Sequence, residues 1–137
     1  MKTNYYFVFV FLLLECFTFE TFSQKVPHKV IVEKYLSGIV AAKYQVDPKT
    51  GVKNGSYRSW TANGVIESEG FYRMGKKTGA WKFYDEFGRV DDTENYKNDL
   101  MDGLCKKWCS DNNDKLYLCA LRVYKNGEQI SETLYDH

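Results

Sequence analysis

The chain has 137 residues, a size that suits one domain. Its formal charge is +1, from 19 Lys and Arg against 18 Asp and Glu, which excludes the broad basic field that captures nucleic acid or an anionic membrane at long range. Aromatics make up 17% of residues against 2 prolines, a balance that points to packed strands and away from a disordered linker.

From the N-terminus, Lys2, the apolar run Tyr5 to Leu14 and the small residues of Thr21-Phe22-Ser23 predict a secretory signal over residues 1–23, with the mature chain opening at Gln24. A membrane span is the competing reading, but a span takes about 20 apolar residues and this run stops at Glu15. Lipid attachment at Cys16 is disfavoured, because Glu15 stands where a small residue normally precedes the lipidated cysteine. The expected address is export, to a periplasm, an outer surface or the medium. Residues 24–52 form a segment with one degenerate copy of a repeat. Within it Val30, Ile31, Val32, Leu36, Ile39 and Val40 suit a short helix or strands, and the likeness of Ser37-Gly38-Ile39-Val40 to Asn63-Gly64-Val65-Ile66 favours strands.

Residues 53–127 carry the clear copies. At a shift of 24 residues Gly55, Gly79 and Gly103 align, as do Trp60, Tyr84 and Trp108, and Gly64 and Gly88 fall on Asn112. Tyr72 and Tyr96 continue to Tyr124 if the third unit holds four extra residues in its turn at SDNNDK. A unit of this length suits two strands and two turns, and it buries its apolar face only by stacking on its neighbours. Asn63-Gly64 predicts a two-residue type I′ turn, Gly79 and Gly88 are read as the turns that open and reverse one hairpin, and Asn126-Gly127 opens a partial unit over 128–137. The expected fold is all-β: an antiparallel meander of about three stacked hairpin repeats with partial repeats at both ends.

The pattern G-x-W-x-x-Y-x-x-x-G, as in Gly79, Trp81, Tyr84 and Gly88, followed by an aromatic, Lys and a Gly-rich turn, resembles the bacterial variant of the MORN repeat and the YwqK-type antitoxin component group. Cys105 stands where the pattern has Trp81. The resemblance implies a scaffold with an antitoxin or immunity role, and it raises association with phospholipid; export fits an immunity or surface-binding role better than an intracellular antitoxin.

Few residues invite catalysis. The mature chain has two histidines, His28 and His137, near opposite ends, and the acidic pairs Glu67/Glu69 and Asp91/Asp92 read as exposed strand carboxylates, so no enzyme activity and no cofactor is expected. Cys105, Cys109 and Cys119 lack zinc-ligand spacing; Cys109 and Cys119 flank the third turn and suit a cross-strand disulfide. The 24-residue shift sets Arg58, Lys82 and Lys106 in one row and Arg73, Lys97 and Lys125 in another, with equivalent residues about 9.5 Å apart. Such rows keep a flat sheet soluble, or they bind a protein partner or a membrane surface. Aromatic rows accompany them: Trp60, Tyr84 and Trp108 in one, Tyr72, Tyr96 and Tyr124 in another. Tyr57 and Trp81 have the opposite parity to Trp60 and Tyr84, so aromatics are expected on both faces. Arg58, Lys82, Lys106, Trp60, Tyr84 and Trp108 are therefore the candidate partner-binding residues.

Overall fold

Strands follow from short runs rich in Val, Ile, Tyr, Trp and Thr, broken every few residues by Gly, Asn or Asp. The structure, a computed structural model, describes residues 28–136, and the expected leader with Cys16 lies outside them. Ten strands run in chain order: β1 (Lys29–Lys34), β2 (Val40–Val46), β3 (Lys53–Trp60), β4 (Ile66–Arg73), β5 (Lys76–Tyr84), β6 (Val90–Lys97), β7 (Leu100–Met101), β8 (Gly103–Ser110), β9 (Leu116–Lys125) and β10 (Glu128–Leu134). They form one antiparallel sheet in which each strand pairs with its chain neighbours, save that the two-residue β7 pairs only with β6 and β8 continues the path to β9. No helix occurs among the described residues. The segment Val30 to Val46 is thus strand, β1 on β2, with Val46 opposite Lys29 as Tyr72 is opposite Gly55.

The two rims of the sheet carry different turns. On one rim Met74-Gly75, Asn98-Asp99 and Asn126-Gly127 have positive φ at both positions, the type I′ geometry of two-residue hairpin loops. Each is clasped to the hairpin before it: Gly75 N–H donates to the Lys53 carbonyl, Asp99 N–H to Lys77 and Gly127 N–H to Met101, at 2.8 to 3.1 Å. The loop between β2 and β3 on the same rim is longer, with Asp47 N–H donating to the Val52 carbonyl and Gly51 N–H to that of Asp47. On the other rim all the turns among the described residues are longer than two residues. Gly64 N–H donates to the Thr61 carbonyl and Thr61 N–H to that of Val65, and the same pair of bonds recurs at Tyr35 to Ile39, Asp85 to Arg89 and Asp111 to Lys115. Gly64 has φ 80° but Asn63 does not enter the left-handed region, so Asn63-Gly64 closes a type I turn with a glycine bulge and not the expected type I′ turn.

Three more expectations change. The positive-φ residue of the third turn is Asp114, at 61°, not Asn112. The four extra residues of that unit lengthen its strands, adding the pairs Cys109↔Tyr117 and Ser110↔Leu116 beyond Trp108↔Leu118. Gly79 opens no turn: it lies inside β5 with φ 67°, where Gly79, Ala80 and Trp81 face only Gly70 between the pairs Phe71↔Thr78 and Glu69↔Lys82. A second bulge recurs near the long-turn rim, leaving Ala41, Glu67, Asp91 and Cys119 as the unpaired residue in successive hairpins.

Alternation sends one side-chain set to a core face centred on Trp81, which is 1% exposed. Its indole lies against Gly70, where a Cβ would come within 2.3 Å of the ring. Tyr57, Tyr72, Phe83 and Tyr96 surround it at centroid distances of 5.1 to 6.3 Å, and its Nε1–H donates to the Phe71 carbonyl at 3.2 Å. The Lys77 ammonium sits 4.5 Å from the Trp81 centroid and also over Phe83 and Tyr96; one repeat earlier Lys53 sits over Tyr44, Tyr57 and Tyr72. Each lysine thus closes a box of three rings, a contact worth about 0.5–2 kcal/mol. Ala42, Val46, Cys105, Ala120 and the hydrogen-bonded pair Ser59 and Ser68 are the remaining buried side chains of this face.

Candidate functional site

The opposite face presents a row of directly paired residues: Lys43, Arg58, Glu69, Lys82, Thr93 and Lys106 on successive long strands. The cationic series read from the repeat is therefore real in register, but Glu69 stands between Arg58 and Lys82. Its carboxylate accepts from Arg58 Nη2 at 2.6 Å, from the Tyr84 hydroxyl at 2.7 Å and from Lys82 Nζ at 3.4 Å. The Tyr84 bond foremost, with Arg58 and Lys82, holds the Glu69 carboxyl below its ordinary value against the opposing effect of its partial burial. Burial and the bond to Glu69 push the Tyr84 hydroxyl up to about 12. Lys43 and Lys106 have no ion-pair partner among the described residues.

Beside this row stand Trp60, Tyr84 and Trp108, each half-buried on the face opposite the core, while Tyr72, Tyr96 and Tyr124 are half-buried on the core face. The Trp108 indole N–H finds no acceptor among the described residues. Between β1 and β5 this face forms an open trough of about 660 Å³, lined by Val30, Trp60 and Phe71 together with Lys43, Arg58 and Lys82. A smaller hollow of about 410 Å³ continues it past Lys43 and Trp60 toward Val32, Ile39 and Gly64. Val30 is 50% exposed and Phe71 57%, so no other layer of the described residues covers the large apolar side chains here.

Of the six candidate residues, the trough gathers Arg58, Lys82 and Trp60. Tyr84 touches it through Glu69, whereas Lys106 and Trp108 lie on β8, beyond its lining. Sequence reasoning missed Val30, Lys43 and Phe71, which reach this face through the degenerate first copy and an exposed β4 position. It also missed Lys53 and Lys77, although a lysine four residues before Tyr57 and again before Trp81 repeats at the same shift. The second cationic set, Arg73, Lys97 and Lys125, flanks the type I′ turns on the rim.

The groups considered for chemistry are engaged otherwise. Glu67 accepts from Ser59, and Asp91 and Asp92 share Lys107 Nζ at 2.7 and 2.8 Å. Cys109 and Cys119 form a disulfide with Cα atoms 5.6 Å apart, Cys119 being the bulge residue of β9. Burial pushes the free Cys105 thiol up, which leaves it protonated and unreactive at neutral pH. His28 opens the described region and His137 lies outside it, and no cluster of metal-ligating side chains occurs among the described residues. No family model and no curated protein sequence matches the chain.

Proposed function

We propose that this is an exported, non-enzymatic repeat protein whose sheet displays a protein-interaction surface, in the manner of an immunity or antitoxin-like partner of the MORN-variant, YwqK-like type. The observation that carries the proposal is the open trough, where apolar, aromatic and cationic side chains stand together uncovered on the face opposite the core. Fully exposed sheet faces rarely keep Trp, Phe and Val side by side unless something covers them. Spent carboxylates support the non-enzymatic part: each acidic pair is already committed to a serine, a lysine or an arginine.

The test is affinity capture from the native envelope with wild-type protein, Trp60→Ala and a Lys82→Glu/Lys106→Glu double variant, all matched for fold by circular dichroism. One partner retained by wild type and lost by both variants is the expected result; equal capture by all three proteins counts against the proposal. A second reading, a structural envelope component that associates along sheet edges, draws on β10, every residue of which is exposed. It predicts sedimentation as concentration-dependent oligomers and no discrete partner. A MORN-type phospholipid scaffold, the remaining alternative, predicts vesicle binding that the Trp60 variant weakens.

A further inference from the structure

The trough has a charge and a shape that narrow the class of its occupant. Lys43, Arg58 and Lys82 line it against a single carboxylate, Glu69, so it carries an excess of two positive charges within a few strand widths. Arg58 uses Nε and Nη2 on one oxygen of Glu69, and its other terminal nitrogen has no partner among the described residues. The Lys82 contact is long at 3.4 Å, and Lys43 has no ion-pair partner among the described residues, so donors for further carboxylates remain. Apolar side chains flank this row of charges: Val30 and Phe71 on one side, Trp60 on the other.

We propose that the trough takes an extended acidic peptide segment of a partner protein, whose carboxylates meet Lys43, Arg58 and Lys82 and whose apolar side chains rest on Val30, Trp60 and Phe71. From β1 to β5 the trough crosses four strand spacings, about 19 Å, which an extended segment of about six residues spans. Alternate side chains of such a segment fall about 7 Å apart, between the one- and two-strand spacings of the cations, within the reach of Lys and Arg. A concave lining favours a chain over a planar bilayer, whose headgroups meet protruding side chains. The proposal rests on the interaction-face reading and adds the chemistry of the partner.

The probe is an acetylated, amidated hexapeptide alternating Glu and Leu, titrated into the protein by calorimetry, with a Lys and Leu counterpart as its charge control. Saturable binding that weakens with added salt is expected for the acidic peptide alone. Lys43→Glu, at an exposed position, should weaken it about tenfold or more, and Phe71→Ser comparably, while Lys125→Glu on the rim leaves it unchanged. Equal binding of the basic peptide overturns the inference, as does binding indifferent to Lys43→Glu. Lys43-dependent binding to phosphatidylglycerol vesicles without peptide binding overturns it in favour of a lipid surface. If the peptide fails while Trp60-dependent capture from the envelope persists, this inference falls and the interaction reading stands; if both fail, both fall.

Discussion

The hairpins β3 to β6 and the hairpin β8–β9 share one strand register and one pair of bulges, yet they fill the core face with unlike chemistry. In the first region Trp81 sits in an aromatic box closed by Lys77; at the equivalent positions of the second stand Cys105 and Met101. Where Phe83 packs beside Trp81, the second region has Lys107, held by Asp91 and Asp92, and Arg122 pairs with Glu132. The disulfide ties Cys109, in one of the two residue pairs that lengthen this hairpin, to the bulge residue Cys119. Backbone register and bulge glycines thus define the repeat, while the source of cohesion changes from ring packing to ion pairs and a covalent bond.

The sharpest way to break this contrast is Trp81→Ala, which should cost about 3–5 kcal/mol and, in a sheet with so few buried side chains, abolish cooperative urea unfolding. Cys105→Ala at the equivalent site should cost about 1 kcal/mol or less; similar losses at the two positions would show that the regions do not differ. Replacing both Cys109 and Cys119 by Ser should cost about 2–3 kcal/mol by the loop-entropy relation for a separation of 10 residues. Hydrogen exchange should then rise in β8 and β9 and stay nearly unchanged in β3 to β6.

Alkaline titration probes the aromatic side. Burial first, then the bonds to Glu69 and Glu94, raise the hydroxyls of Tyr84 and Tyr96, so both favour the folded state while protonated. That contribution is complete below the ordinary tyrosine value of about 10 and is lost as pH rises through the folded values. Tyrosinate absorbance should therefore show Tyr84 titrating late, near pH 12, and Tyr96 late as well, with unfolding accompanying their ionisation. A modest effect belongs to Lys77→Met, which copies Met101 into the aromatic box. It should cost about 0.5–2 kcal/mol, read as a lowered urea midpoint at unchanged slope.

The meander was legible because a 24-residue period survives in Gly55, Gly79 and Gly103 and in the row Trp60, Tyr84, Trp108. Turn types were less legible. Asn63-Gly64 carries the strongest local signal for a two-residue turn, but the pairing of Trp60 with Ile66 across a bulge requires a longer loop there. Met74-Gly75, with a non-glycine residue at φ 51°, forms the two-residue turn instead, under the register set by its flanking strands. Glycine at 79 signals positive φ without saying whether a turn or a bulge demands it. Of the candidate face, the Arg58 and Lys82 register followed from the repeat; Val30 and Lys43 did not, because the first copy is degenerate and its partners emerge only from strand pairing.

The covalent bond at the bulge of β9 also changes how the sheet answers to mechanical force. Tension from the C-terminal side can peel β10 from β9 pair by pair down to the Asn126-Gly127 turn, but it cannot part β8 from β9 beyond the cystine. About 30 Å of contour is then withheld from the stretched chain under oxidising conditions and released when the bond is reduced. A chain pulled in the two redox states should extend to two different lengths, with the shortfall arising in the one hairpin that has outgrown the repeat.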